Sequence, residues 1–332
     1  MTTYDQLVER SGLVSAGMIP TKYVPGIIQE AVTASACLPL MRRLPNMSTK
    51  VESRPVMNDF PDAYFVDSEA GDASSQTYDE GLLQTTDQGW TNTTLTASKL
   101  GVTVWIPKDT IDDAISNGYD LWGEIKPRVG EAIAKKIDAA ILHGTDKPTA
   151  WPVGIVTGAG TYSTTLEHGS DADLKDWYDE IFSEGGIFSL VEGKRYRING
   201  IMADVSMLAA LRGLRATDGT PLYNPSMQEA VSDRLAGLPL MVPENGCLDA
   251  TAALMIVGDW SKALYAWRSD MLVSFSDTAI GTNASGTVIR NAFQQDLIAM
   301  KVTCRLGWCM PIPANRAGTT NRYPFGVLTP AA

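Results

Sequence analysis

The sequence lacks the features that mark membrane, secreted and zinc-binding proteins. No apolar run approaches the ~20 residues that span a bilayer. The opening residues, MTTYDQLVER, carry neither the basic nor the apolar stretch of a secretory signal. Only four cysteines and two histidines are present, and no two cysteines form a C-x-x-C pair. We therefore expect buried, reduced thiols, no zinc site, no membrane partner and synthesis in a cytoplasm.

Basic residues are outnumbered by acidic ones. The 332 residues carry a formal net charge of −11, and the isoelectric point is about 4.7. Proteins that grip nucleic acid present a basic surface, so sequence-specific DNA binding is not expected. Hydrophobic residues make up 44% and charged residues 20%, a composition typical of a chain with a packed core. Such a chain suits a soluble enzyme, or a container that must not adhere to its contents.

Sequence motifs for nucleotide binding and ester hydrolysis are absent. The stretch LHGTDKPTAWPVGI, residues 142–155, has the glycines of a phosphate loop, but Thr149 stands where the second glycine of a P-loop belongs. No G-x-G-x-x-G opens a helix, and no G-x-S-x-G nucleophile elbow occurs. We therefore expect no catalytic residue, no cofactor and no bound metal.

The two histidines have no catalytic motif around them. His143 ends a helical run, where it would complement the negative end of the helix, and His168 lies in an exposed turn. The acids available for chemistry include Asp259 and Asp277. An α+β hydrolase that uses these two carboxylates is the alternative from a different functional class.

Residues 51–98 form an unusual acidic stretch. They contain nine acids and one cation, Arg54, and no lysine. They show no helical periodicity, and so long an irregular segment is uncommon inside a compact domain. Folded as a two-stranded arm, it would reach roughly 65 Å at about 3.3 Å per residue. An isolated arm is marginal in water, so we expect it to lie on another surface, such as a second subunit.

A strand and then a long helix are predicted after this stretch. Residues 102–106 alternate as in a half-buried strand, which Pro107 ends. The spacing then predicts a helix over 120–143, about 35 Å long, with Gly144 as its C-terminal stop. Its apolar face consists of Leu121, Trp122, Ile125, Val129, Ile133, Ile137, Ala140 and Ile141.

The rest of the chain separates helices from strands. Helices are predicted at 173–183 and 207–215, and a strand at 195–203. Short strands follow: LPLMV, ALMIVGDW, ALYAW and MLVSF. A half-buried strand is predicted over LIAMKVTCRLGW, and the proline-rich tail is expected on the surface. This segregation favours an α+β fold over a doubly wound one.

From about Ile19 onward, several phrases occur in a definite order. They are IPTKYVPGIIQEAV, AYFVDSEAG, KLGVTVWIPKDTIDDA, the run from Asp120 to Gly144, WPVGI, LAGLPLMV, IVGDWSKALYAWR with Gly258 and Asp259 at a hairpin turn, and QQDLIAMKVTCRLGW. Together they resemble the major capsid proteins of tailed phages with the HK97-like fold. No single phrase is as specific as a metal signature, but they occur in the family's order.

The resemblance implies an architecture and a function. It implies an N-terminal arm at 1–50, an extended loop at 51–98, a peripheral domain at 99–172 with its spine helix at 120–143, an axial domain at 173–286, and a return strand with a C-terminal tail at 287–332. Hexamers and pentamers of such subunits build an icosahedral virion head around double-stranded DNA, assembled in the bacterial cytoplasm. An encapsulin, a cargo cage of the same fold, is the nearest alternative.

In this family the extended loop lies across a neighbouring subunit. The contact residues that we predict on this basis are Arg54, Asp67, Glu69, Asp79, Glu80, Arg128, Lys135, Lys136 and Trp151. Some members cross-link subunits through a lysine in the extended loop, and its absence here predicts no such bond. Only some twenty residues precede Ile19, so either a separate scaffolding protein assists or none is needed. Portal and decoration proteins are further possible partners.

Overall fold

The computed structural model describes residues 35–61, 88–116, 121–170, 176–215, 234–283, 285–313, 315 and 322–331. The helices in these ranges are α1 (Lys108–Ser116), α2 (Leu121–Leu142), α3 (Ile155–Thr161), α4 (Trp177–Phe182), α5 (Ile187–Glu192) and α6 (Val205–Gly213). The strands are β1 (Arg42–Arg43), β2 (Val51–Met57), β3 (Trp90–Thr96), β4 (Ser98–Pro107), β5 (Thr165–Glu167), β6 (Gly200–Ala203), β7 (Arg234–Leu235), β8 (Leu238–Met241), β9 (Met255–Gly258), β10 (Leu264–Ser276), β11 (Ile280–Thr282), β12 (Val288–Asn291), β13 (Leu297–Cys309) and β14 (Phe325–Thr329).

A four-stranded sheet in the order β1-β10-β13-β4 forms one half of the fold. The predicted strand ending at Pro107 is β4, and the predicted late strand is β13; both are confirmed. Along β13 the buried Met300 and Val302 alternate with the exposed Lys301, because successive side chains point to opposite faces. The two short strands expected at ALYAW and MLVSF are one strand, β10, whose register shifts between Trp267 and Leu272.

Helix α2 covers one face of this sheet. It ends at Leu142, close to the predicted end, and Gly144 follows with φ +72°. That left-handed conformation is strained for a residue with a Cβ, so a glycine ends the helix cleanly. The long helix predicted from the sequence is therefore confirmed. Its buried face is formed by Ile125, Val129, Ile133, Ile137, Ala140 and Ile141.

A six-stranded sheet in the order β5-β14-β9-β6-β8-β7 forms the other half. Strands β6 and β9 are buried along their whole length, as expected for strands covered on both faces. Helix α5 packs on β14, where a Cβ on Gly326 would lie 2.9 Å from a Val191 methyl group. The two sheets are joined where β9 passes through a short 3₁₀ turn into β10.

The C-terminal tail was expected on the surface, and this expectation is wrong. Strand β14 lies inside the six-stranded sheet, parallel to β5 and antiparallel to β9. Phe325, Val327 and Leu328 are fully buried. The prolines before them suggested a surface strap, but the apolar run FGVL needs to be removed from water and supplies a central strand.

Three other expectations are corrected in detail. Gly258 and Asp259 do not form a hairpin turn, because β9 and β10 belong to different sheets. The strand expected over 195–203 is confined to β6, since Arg195 has φ +60° and breaks the extended run. The helix expected over 207–215 is α6; it begins two residues earlier, where Asp204 caps it by accepting from Ser206 N–H.

Two small antiparallel pairs complete the fold. Strands β2 and β3 form one pair, which leads out of the four-stranded sheet, and β11 and β12 form the other. The second pair sits on the sheet face opposite α2. It approaches closely, because a Cβ on Gly281 would lie only 2.7 Å from the Trp105 ring.

Candidate assembly interface

The acidic stretch contains a two-stranded arm, as its lack of helical periodicity indicated. The register pairs Val51 with Thr96 at the base and Met57 with Trp90 at the far end. The hydrogen-bonded ladder joins all seven residues of each strand. The Trp90 side chain is 62% exposed. Trp90 thus lies at the solvent-exposed end of the paired strands.

Of the predicted contact residues in this stretch, the structure describes Arg54. Its guanidinium lies 3.6 Å from the Glu52 carboxylate on the same strand. The acids Asp67, Glu69, Asp79 and Glu80 lie outside the described residues.

The base of the arm is fixed by the corner that follows α2. The Trp151 indole N–H donates to the Thr96 carbonyl oxygen at 3.2 Å, and the ring is buried. Leu95 and Ala97 pack beside it into a small core with Leu44, Met47, Ala266 and Cys309. Trp151 therefore anchors the arm within its own chain, and its role between subunits stays a prediction.

The far end of the arm also touches the body. The Asn58 side-chain oxygen accepts from Arg322 Nη2 at 3.1 Å. Arg322 is only 8% exposed, and its Nη1 donates to the Pro313 carbonyl oxygen at 3.4 Å. Among the described residues, the Arg322 guanidinium is held by hydrogen bonds to these two neutral acceptors.

The corner at 142–155 is built by close backbone packing. A Cβ on Gly154 would lie 2.5 Å from the Gly144 backbone nitrogen, so only glycine fits there. The Lys147 ammonium donates to the Trp151 carbonyl oxygen at 3.2 Å. The glycines, prolines and tryptophan of this stretch thus serve a turn, as its failure to match a P-loop indicated.

The cations predicted on α2 differ in their surroundings. Arg128 pairs with Glu131 at 3.1 Å, and Lys136 pairs with Asp146 at 2.6 Å. Lys135 is exposed, and the described part of the chain gives it no ion pair. Two of the three are therefore partly neutralised within their own chain.

Asp138, which the sequence analysis did not single out, lies at the centre of a buried polar cluster. Its carboxylate accepts from Ser35 Oγ at 2.6 Å, the Ala36 amide at 2.8 Å and Asn245 Nδ2 at 2.9 Å. Burial raises the pKa of Asp138, and these hydrogen bonds oppose the shift. The cluster ties residues 35–38 to α2. An acid beside Ile137 and Ala134 on the apolar face was the signal available in the sequence.

His143 accepts a hydrogen bond rather than carrying a charge. Its Nε2 accepts from the Asp249 amide at 3.1 Å, and burial lowers its pKa below the usual value of 6.5. A neutral imidazole has the lone pair that this bond requires. The expectation that His143 complements the helix end as a cation is therefore wrong, because desolvation disfavours the charged form.

His168 is not an exposed turn residue, as had been expected. Its ring stacks on Trp177 with centroids 3.7 Å apart, and Nδ1 lies 2.8 Å from a Glu180 carboxylate oxygen. The carboxylate is buried and also accepts from the Gly169 amide. This cluster fixes the turn after β5 against α4.

Asp259 and Asp277, the two carboxylates of the hydrolase alternative, lie in different surroundings. Asp259 caps the 3₁₀ turn at Trp260–Lys262 by accepting from the Ser261 amide and hydroxyl. Its Oδ1 also accepts from Asn199 Nδ2 at 3.1 Å. Asp277 is exposed in the turn after β10. The Asp259 carboxylate and the Ser261 hydroxyl together form a structural cap of the 3₁₀ turn.

The thiols are inert, and the described residues offer no metal centre. All four cysteines are free and buried, as expected, and burial raises the pKa of Cys247 and Cys304 to about 12. In the ranges that the structure describes, no group of three or more histidine, cysteine, aspartate or glutamate side chains could hold a metal ion. Nor does any helix in them have the length and apolar character to cross a membrane.

Solved phage structures share this architecture. It matches a chain from Mycobacterium phage Cain with a TM-score of 0.71 and 25% identity, covering 89% of this chain and 90% of that one. A chain from Microbacterium phage Oxtober96 matches with a TM-score of 0.72 and 25% identity over 95% and 94%. A capsid of an empty GTA particle matches with a TM-score of 0.59 at 16% identity over 96% and 94%. The fold is the HK97-like α+β capsid fold, as predicted.

The sequence comparisons agree. A "Major capsid protein" of Staphylococcus phage 80alpha is 24% identical over 295 residues, which cover 86% of this chain and 80% of the relative. The "Phage capsid family" model matches residues 16–310. The chain therefore belongs to the phage capsid family. It is a virion component that takes part in an oligomeric shell, and the resemblance read from the sequence is confirmed.

Proposed function

We propose that this chain is the major capsid protein of a tailed phage and assembles as hexamers and pentamers into an icosahedral head around double-stranded DNA. The observation that carries the proposal is the family match over residues 16–310. The phage origin of the curated relatives favours a phage head over an encapsulin cage. The role is mechanical, and we propose no catalytic activity.

The five segments defined from the sequence are part of this proposal. Residues 51–98 act as the extended loop, 99–172 as the peripheral domain and 173–286 as the axial domain, around which hexamers and pentamers close. Within 173–286, strand β10 is the part that joins the sheet of β4 and β13. Residues 1–50 act as an arm. Residues 287–332 return to the peripheral domain through β13 and end in a tail whose strand β14 joins the six-stranded sheet. The anchored arm of β2 and β3 supports the role of residues 51–98 as the extended loop, because the fixed base of the arm gives its far end a defined direction.

The acids of the extended loop then contact cations of a neighbouring subunit. Asp67, Glu69, Asp79 and Glu80 supply the negative charge, while Arg128, Lys135 and Lys136 on α2 supply one positive set. Each exposed pair contributes only about 0–1 kcal/mol. Many repeats of such weak contacts stabilise a closed shell and still allow misplaced subunits to leave.

The contents of the shell are contained without being bound specifically. The net charge of −11 supports this, because a surface of like charge does not retain DNA. Scaffolding, portal and decoration proteins are further partners in this proposal, and assembly takes place in the cytoplasm of a bacterial host.

Electron microscopy of the chain expressed alone, with its mass measured by light scattering, tests the proposal. Closed particles, or stable hexamers and pentamers, are expected. A chain that stays monomeric at high concentration, even with a lysate of infected cells, would contradict it. Turnover of an ester or phosphoester by such a monomer would favour the hydrolase.

The contribution of α2 can be tested separately. The Lys135→Glu, Lys136→Glu double variant should assemble less completely, while its unfolding transition stays close to that of wild type. Since Lys136 also pairs with Asp146, the single Lys135→Glu variant serves as the matched comparison. Normal shells from both variants would remove α2 from the interface.

A further inference from the structure

A small cleft lies between helix α2 and the four-stranded sheet, next to the corner at 142–155. Its volume is about 110 Å³. The lining comes from the starts and ends of strands β4 and β13, from the second half of α2 and from the corner. The cleft therefore adjoins three parts of the fold that meet at the base of the arm.

The lining of the cleft is mostly apolar. All three parts of the fold contribute to its apolar residues, which are Leu100, Ile137, Ala140, Pro148, Trp151 and Leu306. Most of them belong to the buried core of the subunit. Side chains beside a cleft lack packing partners on that side and forfeit the van der Waals contacts they would make there. An apolar ligand that enters the cleft therefore gains contacts with a surface that is already held in place.

The charged residues of the lining lie on its solvent side. Lys136 Nζ is 2.6 Å from the Asp146 carboxylate, and the two side chains are 39% and 70% exposed. The third charged residue, Lys99, is also exposed. An ionised ligand would lose its hydration among the apolar side chains, which is costly. The lining therefore favours a neutral ligand.

The volume of the cleft limits the size of this ligand. Apolar cavities of about 150 Å³ in proteins take up benzene or xenon, and the cleft is somewhat smaller than that. Trp151 adds an indole to the lining, and aromatic rings gain from offset or edge-to-face contacts with one another. A single aromatic ring therefore matches the cleft in size and chemistry, whereas a peptide segment is too large for it.

We propose that this cleft binds a small, neutral aromatic molecule of about the size of benzene. Trp151 connects the site to the arm, because the residue that lines the cleft also donates its indole N–H to the Thr96 carbonyl oxygen. A bound ring restricts Trp151 and thereby steadies the base of β3. The site lies within a single subunit, so the proposal stands or falls independently of the proposed shell function.

Thermal unfolding of the full chain, below the concentration at which particles form, tests binding with benzene as the probe. Benzene at about ten times its dissociation constant should raise the unfolding midpoint by about 2–4 °C, because it binds the folded state alone. Ala140→Leu fills the cleft with a larger side chain and should remove this rise. Ala132→Leu makes the same change at an exposed position of α2 and should preserve it. No rise in the wild type, or an equal rise in Ala140→Leu, would overturn the proposal.

Methyl NMR of the wild-type chain locates the ligand and keeps the test decisive if Ala140→Leu does not fold. With labelled isoleucine and leucine methyl groups, benzene should shift the signals of Leu100, Ile137 and Leu306 through its ring current, and the shifts should saturate. The methyl signals of Ile201, which is buried in the other sheet, should stay in place. Equal shifts at Ile201, or none at the three cleft residues, would overturn the proposal.

Hydrogen exchange measures the effect of the ligand on the arm. In the benzene-saturated chain, the amides of Leu95 and Thr96 should exchange more slowly than in the free chain, because the ligand holds the residue that anchors them. The slowing should be lost in Ala140→Leu and kept in Ala132→Leu. Unchanged exchange at the base of β3 in the saturated wild type would overturn the connection between the cleft and the arm.

Discussion

Removing the Asp138 carboxylate should destabilise the subunit and weaken the attachment of residues 35–38 to α2. In Asp138→Ala, the Ser35 hydroxyl, the Ala36 amide and the Asn245 amide group lose their acceptor while they remain in a site that excludes water. Each unsatisfied donor costs about 1–3 kcal/mol. The carboxylate was itself costly to bury, so we expect a net loss of about 3–5 kcal/mol. Asp138→Asn keeps one acceptor and should lose about 1–3 kcal/mol.

Urea unfolding followed by tryptophan fluorescence, below the concentration at which particles form, measures this loss. Asp146→Asn is the matched control, because that acid is exposed and its pair with Lys136 should contribute no more than about 1 kcal/mol. Hydrogen exchange supplies a local readout: amides of residues 36–38 should exchange faster in Asp138→Ala. A loss under about 1 kcal/mol, or unchanged exchange there, would refute the reasoning.

The sign of the pH dependence follows from the raised pKa of Asp138. Folding favours its protonated form, so its contribution is fully present below the unfolded value of 3.8 and is lost as the pH rises through the higher folded pKa. The stability advantage of wild type over Asp138→Asn should therefore be larger in acid and shrink toward neutral pH. An advantage that grows with pH would contradict this assignment.

Four further outcomes are expected. Gly158→Ala should lower the free energy of unfolding in urea by about 2–4 kcal/mol. The added Cβ would lie 2.2 Å from the buried Tyr323 hydroxyl, which donates to the Ile155 carbonyl oxygen. An unchanged urea midpoint would contradict this packing. Trp151→Phe should lose the hydrogen bond to the Thr96 carbonyl oxygen and lower the free energy of unfolding by about 1 kcal/mol. Faster hydrogen exchange of the β3 amides is the local check. Since burial lowers the pKa of His143, stability should fall as the pH drops through 6.5, and His143→Gln should flatten that slope in thermal scans. Heating particles in SDS should release monomers, and a ladder of covalent oligomers would refute the absence of an extended-loop cross-link.

The elements with strong periodicity could be predicted from the sequence. Helix α2 and strand β13 follow from spacing alone, because each buries one complete face. The central strand β14 could not be recognised, since four apolar residues after a proline-rich run show no period. Likewise β9 and β10 were predicted as a hairpin, because the local sequence of two consecutive strands does not show whether they belong to the same sheet.

The candidate interface was only partly accessible from the sequence. Spacing placed Arg128, Lys135 and Lys136 on the polar side of a helix, but it could not show that two of them are paired within the chain. Asp138 was visible as an acid on an apolar face, and its partners were not.

The position of β14 sets the timing of subunit maturation during synthesis. Strand β5 ends at Glu167 and β14 begins at Phe325, so the ribosome must add the whole intervening stretch before the gap between β5 and β9 is filled. At about 5–20 residues per second this takes roughly 8–30 s. Nascent chains stalled before Phe325 should remain protease-sensitive in this half of the fold. Until β14 has been added, this half of each subunit therefore has no finished surface to offer a neighbouring chain.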